Sequence, residues 1–386
     1  MAGLKPAMSK KILIVTNIPT PYRIPLFNQL DSQMRRAGLS LKVIFGARGY
    51  PRRRWKIDLA DCRFEYEILP SRIYKFAHKE KTLFTYRGLL PAIKREKPAA
   101  VVVSGFSLGS MKVWLYSLLS SLPYFIWSGD TPRTKSFSFT RGLQRKLLIK
   151  RAKGFIAYGS KARDYLIALG ADPRSVSISI NTVDTEYFMS SSKQLREMAD
   201  SRLRHDSQKH VLSVGDLIPR KNMAGLLRIF KLIAATRADV VLDIVGDGPQ
   251  RKWLESYVHE NRLEPYVQFH GFQQKTSLAH YYAATDCFVF QTDFDIWGLV
   301  LNEAMAAGIP SIASINAGAT HDLIKDGVTG FAMDFLDVQA VSNRIGWLLD
   351  NPDQARRIGD NARLFVEQNA TLETSASSFI RALGVQ

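Results

Sequence analysis

Two acids eight residues apart, Asp295 and Glu303, bracket the apolar run in CFVFQTDFDIWGLVLNEAMAAGIPSIAS, residues 287–314. A carboxylate among Leu, Val, Ala and Met needs a partner, because burying it unpaired is costly. Between the two acids Gly298 opens a predicted helix, closed by Gly308-Ile309-Pro310 before the next strand. The glycine lets backbone approach a ligand, and the free N–H groups of Leu299 and Val300 suit phosphate oxygens. Glu303 follows about one and a half turns later, in reach of the sugar hydroxyls of a nucleotide whose phosphates sit at the helix start. Without such a ligand, Asp295 is a helix cap and Glu303 a solvated side chain, and the spacing alone admits both readings.

Two further stretches bear on that choice. SVGDLIPRKN places Arg220 and Lys221 in the loop after a strand, where cations neutralise phosphate. IVGDGPQ adds a glycine turn at Gly246 after a neighbouring strand. Each by itself reads as a plain solvated loop or turn. Three such elements in order, on the strand ends of one domain, favour the ligand. In the other half, FIWSGDTPR puts Asp130 at a strand end, either beside a substrate or capping the next turn.

The elements that position these residues come in two similar sets. KKILIVTN (10–17) is a β-branched strand, IPLFNQLDSQMRRAG an amphipathic helix stopped by Gly38, and LKVIFG (41–46) the next strand. Further apolar strands are expected at 99–105, 124–129, 154–160 and 175–181, alternating with helices. The pattern restarts with KHVLSVGD (209–216), the helix MAGLLRIFKLIAAT and VVLDIVGDG (240–248), followed by VQFHGF, CFVFQ and PSIAS. Near-continuous apolar strands belong to parallel sheets covered on both faces. The expected fold is therefore α/β, with two Rossmann-like doubly wound parallel-sheet domains: 1–187, a polar strand-free linker at 188–208, and 209–386, its last helix able to pack back on the first domain. Ligands of such sheets bind at the carboxyl ends of strands, here expected in the cleft between the domains.

Composition sets the boundaries. A chain of 386 residues with 46% apolar content exceeds one ordinary core and suffices for two. Cys62 and Cys287 fit no metal or redox spacing, which points to a reducing compartment. The opening residues lack a signal-type apolar region, so no secretion is expected. VWLYSLLSSLPYFIW (113–127) is short for a span of roughly 20 residues and holds Pro123, and reads as a buried helix followed by a strand. The net charge of +18 is uneven: residues 1–185 carry 33 Lys and Arg against 11 Asp and Glu, and the remainder 20 against 24. That field favours an anionic surface or substrate, although surplus lysine also serves solubility alone.

The chain resembles the retaining, nucleotide-sugar-dependent glycosyltransferases of GT-B fold that carry a Glu-x7-Glu signature, the group of bacterial mannosyl- and glucosyltransferases of cell-surface glycans (glycosyltransferase family 4-like). The resemblance runs through NIPTPYRIPLF, GSKARDYLIALG, NTVDTEYF, VGDLIPRKN, IVGDGP, VQFHGF and FDIWGLVLNEAMAAGIPSIAS. It implies that Glu303 holds the donor ribose, that Asp295 contacts the transferred sugar, and that amides of Gly298, Leu299 and Val300 hold the diphosphate. Arg220, Lys221, Gly246 and Phe272 join the donor site on the same basis, and Asp130 falls where relatives place a His or Asp near the donor sugar. Three positions depart from the pattern. Asp295 stands for the first Glu, Gly215-Asp216 for Gly-Arg, and PTPYR for a glycine-rich first loop.

The implied reaction moves a hexose from a UDP- or GDP-sugar to a lipid-linked or growing surface glycan with retained configuration. No cofactor or metal is implied; the nucleotide sugar is a substrate. Lys221 and the helix start would stabilise charge on the leaving diphosphate. Tyr22 and Arg23, in the first loop, are the candidates for acceptor contacts. YPRRRWK (50–56) and RTKSFSFTRGLQRKLLIKRAK (133–153) mix cations with apolar residues, and LQRKLLIKRAK as a helix fits an anionic bilayer as well as a packed position with a solvated basic face. The expected place is cytoplasmic, peripheral at the inner face of the cell membrane. A nucleic-acid-binding protein is the reading from another class, weakened by the absence of a known module. A GT-B sugar-nucleotide epimerase is the other enzyme reading.

Overall fold

The computed structural model describes residues 10–49, 57–75, 82–132, 139–200 and 208–384. Two of the basic stretches, 50–56 and the opening of 133–153 as far as residue 138, lie outside the described residues. The chain forms two compact units, 1–180 with 372–386, and 181–371.

In the first unit the order is β1 (Lys10–Thr16), α1 (Ile24–Arg36), β2 (Leu39–Phe45), β3 (Glu65–Ile68), β4 (Ile73–Lys75), β5 (Thr82–Phe84), α2 (Leu89–Glu96), β6 (Ala100–Ser104), α3 (Leu108–Ser120), β7 (Tyr124–Ser128), α4 (Phe139–Arg151), β8 (Gly154–Ala157), α5 (Ser160–Ala168) and β9 (Val176–Ile178). Seven strands make one parallel sheet in the order β3-β2-β1-β6-β7-β8-β9, with β4 and β5 as a separate antiparallel pair. Alternation along β1 explains why its run is apolar throughout. Ile12 and Ile14 enter a core with α1, while Leu13 and Val15 enter a second core with α2 and α4.

The second unit comprises α6 (Thr185–Asp200), β10 (Lys209–Val214), α7 (Met223–Ala234), β11 (Val240–Val245), α8 (Arg251–Glu260), β12 (Val267–Gly271), α9 (Lys275–Ala283), β13 (Cys287–Phe290), α10 (Leu299–Ala306), β14 (Ser311–Ser314), α11 (Thr320–Leu323), β15 (Phe331–Met333), α12 (Val338–Asp350) and α13 (Pro352–Asn369). Its parallel sheet runs β12-β11-β10-β13-β14-β15. The last helix, α14 (Leu372–Ala382), packs against α1 and β9 in the first unit, with Phe379 edge-on to Trp127 at 5.2 Å.

Two sequence expectations change. The stretch 188–208 is not a bare connector: as far as Asp200 it is the body of α6, packed on α9, α10 and α13. Its polar composition hides one buried stripe, in which Phe188 and Ser192 are closed off and Arg196 donates to the carbonyls of Tyr282 and Ala283 at 3.3 and 3.2 Å. The helix within 113–127 is also not buried. Val113 and Ser117 of α3 face the core, but Leu115, Leu118 and Leu119 are exposed. Among the described residues no helix is long and apolar enough to cross a membrane.

Candidate active site

The order of strands in the second sheet reverses between β10 and β13, the first running out to β11 and β12, the second to β14 and β15. The loops leaving their carboxyl ends part there, and ligands of open α/β sheets gather at such a switch point. The loop after β10 carries Arg220 and Lys221; the loop after β13 carries Asp293 and Asp295. Backbone and side chains join the two. Asp293 N–H and Thr292 Oγ1 both donate to the Arg220 carbonyl at 2.9 Å, and Gln291 Nε2 donates to that of Lys221 at 3.2 Å.

This joining fixes a charge cluster. Lys221 Nζ donates to Asp295 Oδ2 at 2.6 Å, Arg220 Nη1 lies 3.5 Å from the same oxygen, and Trp297 N–H donates to Oδ1 at 3.2 Å. Burial works against ionisation of Asp295, but the charge and hydrogen bond of Lys221, then Arg220, outweigh it and hold the carboxyl below its usual range. Lys221, which the sequence reading assigns to phosphate, therefore has a protein counter-ion when no donor is bound. Its ammonium also lies 5.0 Å from the Phe290 ring centroid.

Gly298 begins α10 at φ +106°, a left-handed conformation that favours glycine. A Cβ there would sit 2.3 Å from Cε1 of Phe290. Within the structure, the close approach that demands glycine here is that of the Phe290 ring. Leu299 and Val300, both half-buried, follow in the first turn of the helix, where N–H groups have no intrahelical acceptor.

Glu303 lies on the next turn of α10, and its oxygen Oε2 accepts from the Tyr282 hydroxyl at 2.9 Å. Desolvation pushes its pKa up to about 7, against the opposing effects of that hydrogen bond and of Lys275. Tyr282 is wholly buried, edge-on to Phe188 at 5.6 Å, and also reaches the Val300 carbonyl at 3.4 Å. The acid is thus neither a freely solvated side chain nor fully neutralised. One phenol meets it, and among the described residues no cation lies in ion-pair range.

Further residues shape the site, two of which, Asn302 and Gly318, were not singled out in the sequence. Asn302, fully buried, accepts from Trp297 Nε1 at 2.9 Å and donates to the Asn181 carbonyl at 3.3 Å, which fastens α10 to the NTVD stretch. A Cβ on Gly318 would meet the Ile296 carbonyl oxygen at 2.1 Å, so the turn before α11 lies directly against the acid's loop. The IVGDGP turn owes its glycines to a similar approach. A Cβ on Gly246 would fall 1.9 Å from the Gly215 carbonyl oxygen and one on Gly248 2.4 Å from that of Leu217. Gly246 thereby sets the position of the Lys221 loop, and its N–H donates to the Gly271 carbonyl at 2.9 Å, beside half-buried Phe272. Of these contacts, only the glycine turn of IVGDGP was legible in the sequence.

The remaining candidates belong to the first unit. Asp130 does pair rather than merely cap: its Oδ2 accepts from Arg145 Nη2 at 2.9 Å, and its N–H donates to Ser128 Oγ at 3.0 Å. Arg23 is buried with its guanidinium over the rings of Trp127 at 4.0 Å and Tyr158 at 4.9 Å, and its Nη1 has no hydrogen-bond partner. Tyr22 is half-buried next to it.

Residues 196–365, which hold this cluster, match the family model of the glycosyl transferases group 1. Over 97% of the chain the structure superposes on all of HepE of Anabaena, solved with UDP, with a TM-score of 0.77 at 19% identity. The fold is GT-B. A GDP-mannose-dependent alpha-mannosyltransferase of Corynebacterium glutamicum is 35% identical over 116 residues, 30% of this chain and 26% of that protein. A GDP-mannose-dependent alpha-(1-6)-phosphatidylinositol monomannoside mannosyltransferase of Mycobacterium tuberculosis is 28% identical over 209 residues, 52% of this chain and 54% of that one. The chain spans about a quarter to a half of the length of these curated relatives.

Proposed function

We propose that the protein is a glycosyltransferase that moves a hexose from a nucleotide sugar to a lipid-linked or growing surface glycan, with retention of anomeric configuration and without a metal. The observation that carries the reading is the arrangement at the β10/β13 switch point: two cations, the open first turn of α10, and a half-satisfied acid one turn further on. Phosphate, diphosphate and ribose call for those three features in that order.

In this reading Glu303 accepts from the ribose hydroxyls, and its second oxygen supplies what Tyr282 does not. The diphosphate lies at the N–H groups of Leu299 and Val300. As the sugar–phosphate bond breaks, charge gathers on the leaving oxygen, and Lys221 and Arg220 offset it. Asp295 orients Lys221 in the empty site and accepts from a hydroxyl of the transferred sugar in the filled one. The acceptor hydroxyl attacks the anomeric carbon on the face the diphosphate leaves, and a departing phosphate oxygen takes its proton. Asp130, with one oxygen held by Arg145, is an acceptor for hydroxyls rather than a free base.

The curated relatives named for GDP-mannose favour a guanine nucleotide and mannose, whereas the UDP-bound neighbour supports only the class of ligand. We place the enzyme in the cytoplasm, at the inner face of the membrane. Calorimetric titration with UDP, GDP and ADP decides first: one diphosphate is expected to bind at micromolar levels in EDTA. Absence of binding by all three would refute the proposal.

A further inference from the structure

The first unit holds a surface that the described residues leave uncovered. On α4, Leu148 and Ile149 are buried and the Tyr124 hydroxyl anchors the Leu148 carbonyl, so that face is spoken for. The opposite face reads Leu143, Lys146, Leu147, Lys150, all exposed and spaced i, i+3, i+4, i+7, which is one helical stripe. Beside it, α3 exposes Leu115, Leu118 and Leu119, again one stripe, and Leu119 is 85% open to solvent. The two helices pack together, and Arg151 Nη2 donates to the Ser117 carbonyl at 3.0 Å, which brings the end of α4 against the leucine-bearing turn of α3.

Charge identifies what fits this face. Between Glu96 and Asp164 the sequence has one acid, Asp130, and that one is bound to Arg145. Residues 131–163 hold ten Lys and Arg and no acid. Five exposed leucines on two helices that carry cations and no acid are disfavoured in water and match neither nucleic acid, which has no use for aliphatic side chains, nor a solvated basic helix, which has no need of them. Leucine at the acyl boundary with lysine at the headgroups is the arrangement an interfacial helix adopts.

We propose that the α3–α4 face is the docking surface for an anionic phospholipid bilayer, with Leu115, Leu118 and Leu119 entering the acyl boundary and Lys146 and Lys150 at lipid phosphates. This deepens the reading of a peripheral enzyme and rests on it only for the choice of partner. α3 thus supplies the apolar half of an anchor whose basic half is α4.

The test is co-sedimentation of the whole chain with phosphatidylcholine vesicles containing or lacking phosphatidylglycerol. Binding is expected only to the anionic vesicles, and weakens as salt rises. Leu118→Ser with Leu119→Ser should lower partitioning by tenfold or more, and Lys146→Gln with Lys150→Gln by about twentyfive-fold, roughly fivefold per cation. These positions are exposed, so the melting temperature should stay unchanged, and UDP and GDP titration of the same samples should too. Equal binding to neutral vesicles, or full binding by the serine variant, overturns the proposal. So does a fall from dimer to monomer in the serine variant, which would make the face a contact between copies, or displacement of the vesicles by RNA at equal charge. Failed nucleotide binding with intact sedimentation would sink the transferase reading and leave this surface standing.

Discussion

Replacing Glu303 by glutamine separates what the acid does for binding from what it costs the fold. Its pKa rises from 4.5 to about 7. A raised carboxyl pKa means that the folded state disfavours the ionised form. Stability is then full below pH 4.5 and falls as pH climbs to 7, by about 1.4 kcal/mol per unit. Over that window the loss is on the order of 3 kcal/mol. Glu303→Gln keeps the shape and an acceptor for the Tyr282 hydroxyl while removing the charge. At pH 8 the variant should therefore melt up to roughly 6–12 °C above the parent, and at pH 4 the two should coincide. Nucleotide binding should move the other way. A ribose held by the carboxylate requires its ionised form, so affinity for the preferred diphosphate should weaken about tenfold from pH 8 to pH 6 relative to the variant. The variant itself should bind at least about tenfold more weakly at pH 8. Scanning calorimetry and titration calorimetry over this pH range read both effects. A glutamine variant no more stable at pH 8, or one binding as tightly as the parent, would refute the reasoning.

Three more perturbations test the neighbouring groups. Gly298→Ala forces a Cβ into a left-handed residue and against Phe290, and should destabilise the second unit by about 3 kcal/mol or more by urea unfolding; adding Phe290→Leu should recover only part of it, since the backbone strain remains. Lys221→Met leaves Asp295 with Arg220 alone at 3.5 Å, and should cost roughly 3 kcal/mol and weaken diphosphate binding more than tenfold; if Lys221→Met with Asp295→Asn is as unstable as the single change, the pair is not coupled. In the first unit, hydrogen bonds from Lys11 and then Lys42 hold Glu96 down to about 2, so its contribution is present above the ordinary carboxyl pKa and lost as pH falls from 4.5 toward 2; Glu96→Gln should flatten that part of the acid-unfolding curve, and an unaltered curve would contradict the pairing.

The sequence by itself was enough for two parallel α/β units and for most of the strand limits, because a strand buried on both faces must be apolar throughout and two-residue alternation has nowhere else to put Ile12 and Leu13. It also brought Arg220, Lys221, Asp295, Gly298 and Glu303 onto strand and helix ends of one domain. What it left open were partners. That Lys221 meets Asp295, that Tyr282 meets Glu303, and that Asn302 ties Trp297 to Asn181 depend on loops and helices far apart in the chain, and no local spacing encodes them. Gly298 shows the difference in one residue: glycine was legible as a special position, but the ring that requires it lies on another element. Likewise α6 passed for a connector because its one buried stripe has meaning only against α9, and the leucines of α3 passed for core because hydrophobicity is read from type, whereas exposure is decided by what packs on them. Local chemistry is written residue by residue; the pairing of charges and the choice of which face stays bare are set by the fold as a whole.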